Sequence, residues 1–321
     1  MAEPGVTPLG ALGPLALPLG ILLTIAAGVL IEQLVGWFSW RFERSLIGVA
    51  MIVAPIVTSA PELAIFTVSI LRGEYGVAWG SIVAQPFMAS TIVYPTIIAV
   101  AIAGWLLGRR PLRMDVDKYV AIPFLVFTIP LVPILFLHPE RYEFLGRAYG
   151  LLLLVVYFAY AWYMLRQRSS GQASHSLLLK HPVIQFPASI ITLYLGAEMM
   201  VGGIISAGEA LGFDEVALSV VLVPIATVVP ESIVGLIFVF KGKDSEGVGV
   251  VVGEKALYST FYPGLAMLLG IYTLEEAAVL ALEIAIIISI VAVAAIWMRN
   301  FALTAPVGLA GYIWYILEYF L

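Results

Sequence analysis

Pro55-Ile56-Val57-Thr58-Ser59-Ala60-Pro61-Glu62 returns 169 positions later as Pro224-Ile225-Ala226-Thr227-Val228-Val229-Pro230-Glu231. Aligned without gaps, residues 55–91 and 224–260 agree at ten of thirty-seven positions. The matches beyond the two strings are Gly73/Gly242, Gly80/Gly249, Val83/Val252, Ser90/Ser259 and Thr91/Thr260, and Arg72/Lys241 conserves charge. Apolar composition supplies chance Ile and Val coincidences, but not two Pro-x-x-Thr-x-x-Pro-Glu strings in register. The chain therefore carries an internal duplication.

Around the strings, the solvent is lipid. Of 321 residues, 62% are hydrophobic and 12% charged, too few charges to cover a water-soluble surface of that composition. A hydrocarbon core of about 30 Å needs roughly 20 apolar residues per helix. Ten such stretches are read at 15–38, 45–71, 77–107, 118–138, 146–166, 183–207, 215–240, 248–271, 276–298 and 302–319. The polar segment 167–182, with Ser169-Ser170-Gly171-Gln172, reads as a cytoplasmic linker between a first half, 1–166, and a second, 183–321. Each half holds five stretches, an odd number, so the second enters the membrane from the opposite face. The expected architecture is an all-α polytopic membrane protein of ten helices in two inverted five-helix repeats.

Orientation follows from the basic residues. With the N-terminus outside, inner loops hold Arg41, Arg44, Arg109, Arg110, Arg113, Lys118, Arg166, Arg168, Lys180, Lys241, Lys243 and Arg299, twelve of the sixteen. Both termini are then outside, in the plasma membrane. The segment before the first stretch has Glu3 and no basic residue, unlike a cleavable signal, so that helix is expected to stay. A net charge of −5 without a basic patch excludes nucleic acid as a partner. Absent cysteine removes disulfides and thiolate chemistry. His138, His175 and His181 are not spaced as a metal site, and Glu275-Glu276 has no accompanying metal motif, so an enzyme is not expected. The partners are the bilayer and inorganic cations, no cofactor is called for, and the oligomeric state is left open.

Proline inside a membrane helix removes a backbone donor and frees carbonyls that lipid cannot satisfy. Such breaks are tolerated where they line a cavity, and carbonyls, Thr hydroxyls and Glu carboxylates are hard ligands for Na⁺ or Ca²⁺. A charge at the bilayer centre costs about 2.5–3.5 kcal/mol even on lenient scales, so Glu62 and Glu231 are functional candidates by default. Glu254 lies on the stretch expected to face them, as a third carboxylate, a proton carrier or a structural partner of a charge on another helix. Lys255 either snorkels to the interface or stands in for a coupling cation, neutralising Glu62, Glu231 or Glu254. Glu32 and Glu198 occupy corresponding helices and read as gate or structural residues, and Glu283 as structural.

Thr58-Ser59-Ala60-Pro61-Glu62 and Thr227-Val228-Val229-Pro230-Glu231 resemble the Gly-Thr-Ser-x-Pro-Glu signatures of the calcium/cation antiporter superfamily, which includes the sodium/calcium exchangers. Gly80-Ser81-Ile82-Val83-Ala84-Gln85 and Gly249-Val250-Val251-Val252-Gly253-Glu254 are similar to the Gly-Asn-x-x-Gly-Ser segments that follow. The resemblance implies the exchanger fold and secondary active transport of Ca²⁺ against Na⁺ or H⁺ by alternating access. It makes Glu62 and Glu231 the central calcium-binding carboxylates. Thr58 and Thr227 would add hydroxyl and backbone oxygens, Ser59 a sodium hydroxyl, and Pro55 and Pro224 their carbonyls. Gln85 and Glu254 would hold later ligand positions, and the first and sixth helices would form the moving gate. The sequence departs from the pattern at Val228, Gln85, Glu254, Pro86, Lys255, Ala89 and Tyr258, where sodium ligands and their neighbours are expected. A relative that has lost exchange and acts as a cation channel, sensor or divalent binder is the alternative.

Overall fold

The computed structural model describes residues 13, 15–136, 142–167, 176–210, 223–272 and 276–320. No strand occurs among them. The first half runs through α1 (Ala16–Arg41), α2 (Leu46–Thr58), α3 (Ala60–Arg72), α4 (Tyr75–Met88), α5 (Tyr94–Leu106), α6 (Ala121–Thr128), α7 (Leu131–Phe136) and α8 (Glu143–Arg166). The second runs through α9 (Pro182–Ala210), α10 (Val223–Phe240), α11 (Asp244–Ala256), α12 (Tyr262–Leu268), α13 (Glu276–Trp297) and α14 (Thr304–Phe320). Two π-helical segments, Ala89–Val93 and Leu257–Phe261, join α4 to α5 and α11 to α12.

Among the described residues seven helical runs are long and apolar enough to cross a bilayer on their own. The expected stretches that are not among them are 45–71, 215–240 and 248–271. These carry the two Pro-Glu strings and the Glu254-Lys255 pair. The break at Ser59 divides the first of these and the π segment Leu257–Phe261 interrupts the third, while residues 215–222 of the second lie outside the described residues.

The first helices of the two halves, α1 and α9, pack along each other by small residues. A Cβ on Gly20 would lie 2.6 Å from the Met200 amide nitrogen, and one on Gly196 would lie 2.6 Å from the Thr24 hydroxyl. Without a hydrophobic drive between helices in lipid, such backbone approach supplies the contact energy. Behind this pair, α2, α10 and α11 form the centre, with Ala27, Ile31, Val49, Ala54, Val234 and Val250 buried together.

The repeat is visible in backbone geometry. Gly73 and Gly242, an aligned identity, both turn a hairpin between consecutive helices at φ of 75° and 77°, in the left-handed region that disfavours a Cβ. The π segments also correspond, holding Ser90-Thr91 and Ser259-Thr260. Ser90 and Thr91 donate to the carbonyls of Pro86 and Phe87, both at 2.8 Å, and Thr260 donates to Ala256 at 2.5 Å. Such back-bonding bends helices, and π turns are frequent at functional sites. A Tyr-Pro pair, Tyr94-Pro95 and Tyr262-Pro263, restarts the α-helix each time.

The two halves are not superimposable copies. In the second repeat α11 lies flush on α2: a Cβ on Gly249 would sit 3.0 Å from Met51 Cγ, and one on Gly253 would overlap the Met51 carbonyl oxygen. In the first, Gly80 has nothing within 4 Å of a Cβ and Ala84 is exposed. Gly80→Ala is therefore expected to leave the melting temperature in detergent nearly unchanged, while Gly253→Ala lowers stability by about 1–3 kcal/mol through overpacking. A thermal unfolding series on the two variants checks the contrast.

Candidate cation site

Each Pro-Glu string is read differently by the backbone. In the first, α2 ends at Thr58, Ser59 takes φ −85° and ψ 9°, and α3 begins with Pro61 and Glu62 in its first turn. Proline is tolerated there because those N–H groups have no helical partner, and a carboxylate is favoured by the helix dipole. In the second, α10 continues through Pro230 to Glu231.

The carbonyl of Pro55 is not left free: it accepts the Ser59 amide at 2.9 Å and the Thr58 hydroxyl at 3.3 Å. The carbonyl that Pro55 deprives of its i+4 donor is that of Met51, which points at Gly253 Cα. A ligand role for the Pro55 carbonyl thus meets competition from its own helix. Thr58 also donates to Ala54 at 3.1 Å, which commits its proton and leaves its lone pairs for a cation. Pro224 and Thr227 lie on the backbone of α10, with side chains outside the described residues.

Glu62 and Glu231, from the two repeats, meet at hydrogen-bonding range. Glu231 is 5% exposed. Two carboxylates so placed repel each other unless a proton or a cation stands between them. Glu254 on α11 is fully buried within electrostatic reach of both, and its Oε2 accepts from Ser232 at 3.4 Å. Among the described residues no three acidic side chains form a metal-holding group.

Among the described residues several buried polar atoms make no well-formed hydrogen bond: the Ser59 hydroxyl, Glu62 Oε2, Gln85 Nε2, Glu254 Oε1 and the hydroxyls of Tyr94, Tyr258 and Ser259. Tyr258 lies beside Ser59 and in reach of Glu231 and Glu62, and Tyr94 lies beside Ser90 and in reach of Glu254. Buried polar groups are ordinarily satisfied, and this concentration of orphans, mostly oxygens, fits a hard cation or its water shell as cargo. Ser232, Tyr94 and Ser259 were not picked out by the sequence reading. The repeated Ser-Thr followed by Tyr-Pro, displaced by one residue between the halves, was the signal that could have drawn attention to two of them.

Lys255 is 1% exposed, which overturns interfacial snorkelling. Its ammonium meets the Ser289 hydroxyl on α13 and lies 6.0 Å over the Phe124 ring. Neighbouring positions on a helix point about 100° apart, so Glu254 faces the carboxylates and Lys255 faces away. Among the described residues no ion pair joins it to Glu62, Glu231 or Glu254. Glu32 pairs with Lys241 at 2.9 Å, and Val228 and Ala89, at two of the departed sodium positions, are buried apolar side chains.

The model of the family described as "Sodium/calcium exchanger protein" matches residues 14–166 and 181–320. The chain belongs to the sodium/calcium exchanger family. That places it among multi-pass membrane transporters that exchange cations. Solved structures of the sodium-calcium exchanger NCX_Mj share its fold. One, soaked with 2.5 mM Na⁺ and 0.1 mM Sr²⁺, is 18% identical at a TM-score of 0.71 over 96% of this chain and 99% of that one. Another, soaked with 2.5 mM Na⁺ and 0.1 mM Ca²⁺, is 17% identical at 0.70 over 98% and 100%. A third, with 2.5 mM Na⁺ and 10 mM Sr²⁺, is 17% identical at 0.72 over 96% and 99%. No curated protein matches.

The geometry separates the roles of two neighbouring charges. Lys255→Met is expected to keep any Ca²⁺-induced rise in melting temperature within about half of its wild-type size, and to hold or raise basal stability, because an unpaired buried charge is removed. Glu231→Gln is expected to abolish the Ca²⁺-induced rise. Thermal unfolding across a Ca²⁺ titration measures both, since a bound ion stabilises by mass action.

Proposed function

We propose that this protein is a secondary active transporter that carries Ca²⁺, or a similar hard divalent cation, against Na⁺ or H⁺ by alternating access between its two inverted halves. The observation that carries the reading is the meeting of Glu62 and Glu231, one from each repeat, amid buried oxygens that have no hydrogen-bond partner among the described residues. Two carboxylates offer the charge and hardness that a divalent ion requires. Thr58, Thr227 and Ser59 complete the first circle of oxygens, with Gln85 and Glu254 behind them. The soaking of the NCX_Mj structures with Na⁺ and Ca²⁺ or Sr²⁺ supports the same substrate class.

Val228, Ala89 and Tyr258 withdraw side-chain oxygens of the kind sodium needs, or replace them with a phenol. That favours a returning stoichiometry different from a fully equipped sodium site, with protons on Glu62 and Glu231 as one source of counter-charge. Ten passes, division at the 167–182 linker, a plasma-membrane location and both termini outside complete the proposal. In that orientation the face bearing Arg44, Arg110, Arg166, Lys241 and Lys243 is cytoplasmic.

Proteoliposomes decide it. Calcium uptake driven by an outward Na⁺ or H⁺ gradient, and absent without one, is the expected result. Glu62→Gln or Glu231→Gln is expected to reduce it at least a hundredfold. Uptake that follows the Ca²⁺ gradient alone would identify a channel, and Ca²⁺ binding with no flux under any gradient would identify a passive binder.

A further inference from the structure

The hairpin 241–243 between α10 and α11 is tied down on two sides, and its repeat-mate 72–74 between α3 and α4 is not. Arg110, in the segment after α5, has a fully buried side chain and Asp244, in the first turn of α11, is 6% exposed. The guanidinium grips the carboxylate through both terminal nitrogens, at 2.5 and 3.0 Å. It also donates to the Val239 carbonyl in the last turn of α10 at 2.7 Å. The Asp115 amide adds a second donor to Asp244 at 2.9 Å, and the Asp117 amide donates to Ser245 at 2.8 Å. On the other side, Lys241 binds Glu32 of α1. Cation at a helix C-terminus and anion at a helix N-terminus are both the favoured polarity, and bidentate Arg–carboxylate geometry is the strong form of such a pair.

At the mate, Arg72, Gly73, Glu74 and Tyr75 are all exposed, and no ion pair involves them among the described residues. The difference continues inward. Behind the tied hairpin, α11 is sealed on α2 through Gly249, Gly253 and Met51; behind the free one, Gly80 stands in open space.

We infer that Arg110 and Asp244 are positioning residues for the transport cycle: together they hold α11 against α2 and keep the cation site shut from the face that carries the basic loops. Access from that face requires the pair to part, and among the described residues the repeat-mate hairpin at 72–74 has no counterpart ion pair to break. The inference gives a transport role to the pair only if the exchanger reading holds, so its test reads access without reading flux.

The chain has no cysteine, and Val250 of α11 is fully buried in the same apolar cluster as Val49, Ala50 and Ala54 of α2. In a Val250→Cys background, a charged, water-soluble thiol reagent applied to reconstituted protein is expected to label slowly. Adding Asp244→Asn is expected to raise the rate at least tenfold for reagent presented at the basic face and to leave the rate from the other face within twofold. Arg110→Gln, a second way of breaking the pair, should do the same if the first variant folds poorly. Arg110→Lys, which keeps the charge, should bring the rate back towards the background. Equal labelling with and without the pair in monodisperse protein, or acceleration from both faces alike, would overturn the role and leave an ordinary structural ion pair. Loss of ion exchange in the unmutated chain would instead overturn the proposed function and leave the labelling result standing.

Discussion

The constraint on which the rest depends is that two carboxylates are brought together inside a protein surrounded by hydrocarbon. Each charge placed at that depth costs on the order of 2.5–3.5 kcal/mol or more, and proximity adds repulsion to the cost. Nothing among the described residues offsets it with a basic partner: the nearest buried amine, Lys255, is turned towards Ser289. A site that meets its own electrostatic demand only when a cation or proton is present is coupled to that ion by necessity. The fold supplies the pair by duplication, because one Pro-Glu string entering from each direction puts one glutamate from each half near the same plane.

Helix breaking, usually discussed as a way to expose carbonyls, does something more specific in the first string. The carbonyl freed by Pro55 belongs to Met51, and it is accommodated by a glycine on a neighbouring helix, Gly253, whose missing side chain lets the backbone come to it. The break thus creates a packing seam between α2 and α11 as much as a ligand. The repeat-related seam is open at Gly80. A duplicated sequence folded into two unlike interfaces is what an alternating carrier needs, since two halves held in identical poses would be open, or closed, on both faces at once.

Much of this was legible in the chain. The Pro-Glu strings gave the duplication and the apolar stretches gave the all-helical membrane fold, and the aligned Gly73 and Gly242 fall on turns that require left-handed backbone. The π segments were not legible, because a π turn has no composition of its own and its Ser-Thr pair reads equally well as ordinary helix. Nor could the direction of Lys255 be read: periodicity gives the angle between Glu254 and Lys255, not which of them faces the centre. Arg110 reads as a loop charge on a cytoplasmic face, and only the folded chain, which buries it against Asp244 at a separation of 134 positions, makes it half of a pair.

That burial bears on energy as well as geometry. Removing two charges from water is offset only by near-ideal geometry and full hydrogen bonding, and an apolar replacement of equal volume is often at least as stable. A buried pair is therefore weak evidence of selection for stability alone. A bond that is strong when made and leaves two unsatisfied charges when broken serves better as a switch between two poses, because intermediate separations retain neither the bond nor full hydration. At the α10–α11 hairpin such a pair stands at the basic-face end of the α2–α11 seam, where a small displacement of α11 is levered towards Gly253 and the carboxylates beyond it. Among the described residues the hairpin at 72–74 has no such pair, so on the inferred role the two hairpins differ in what must be overcome to move them even though their helices descend from one repeat.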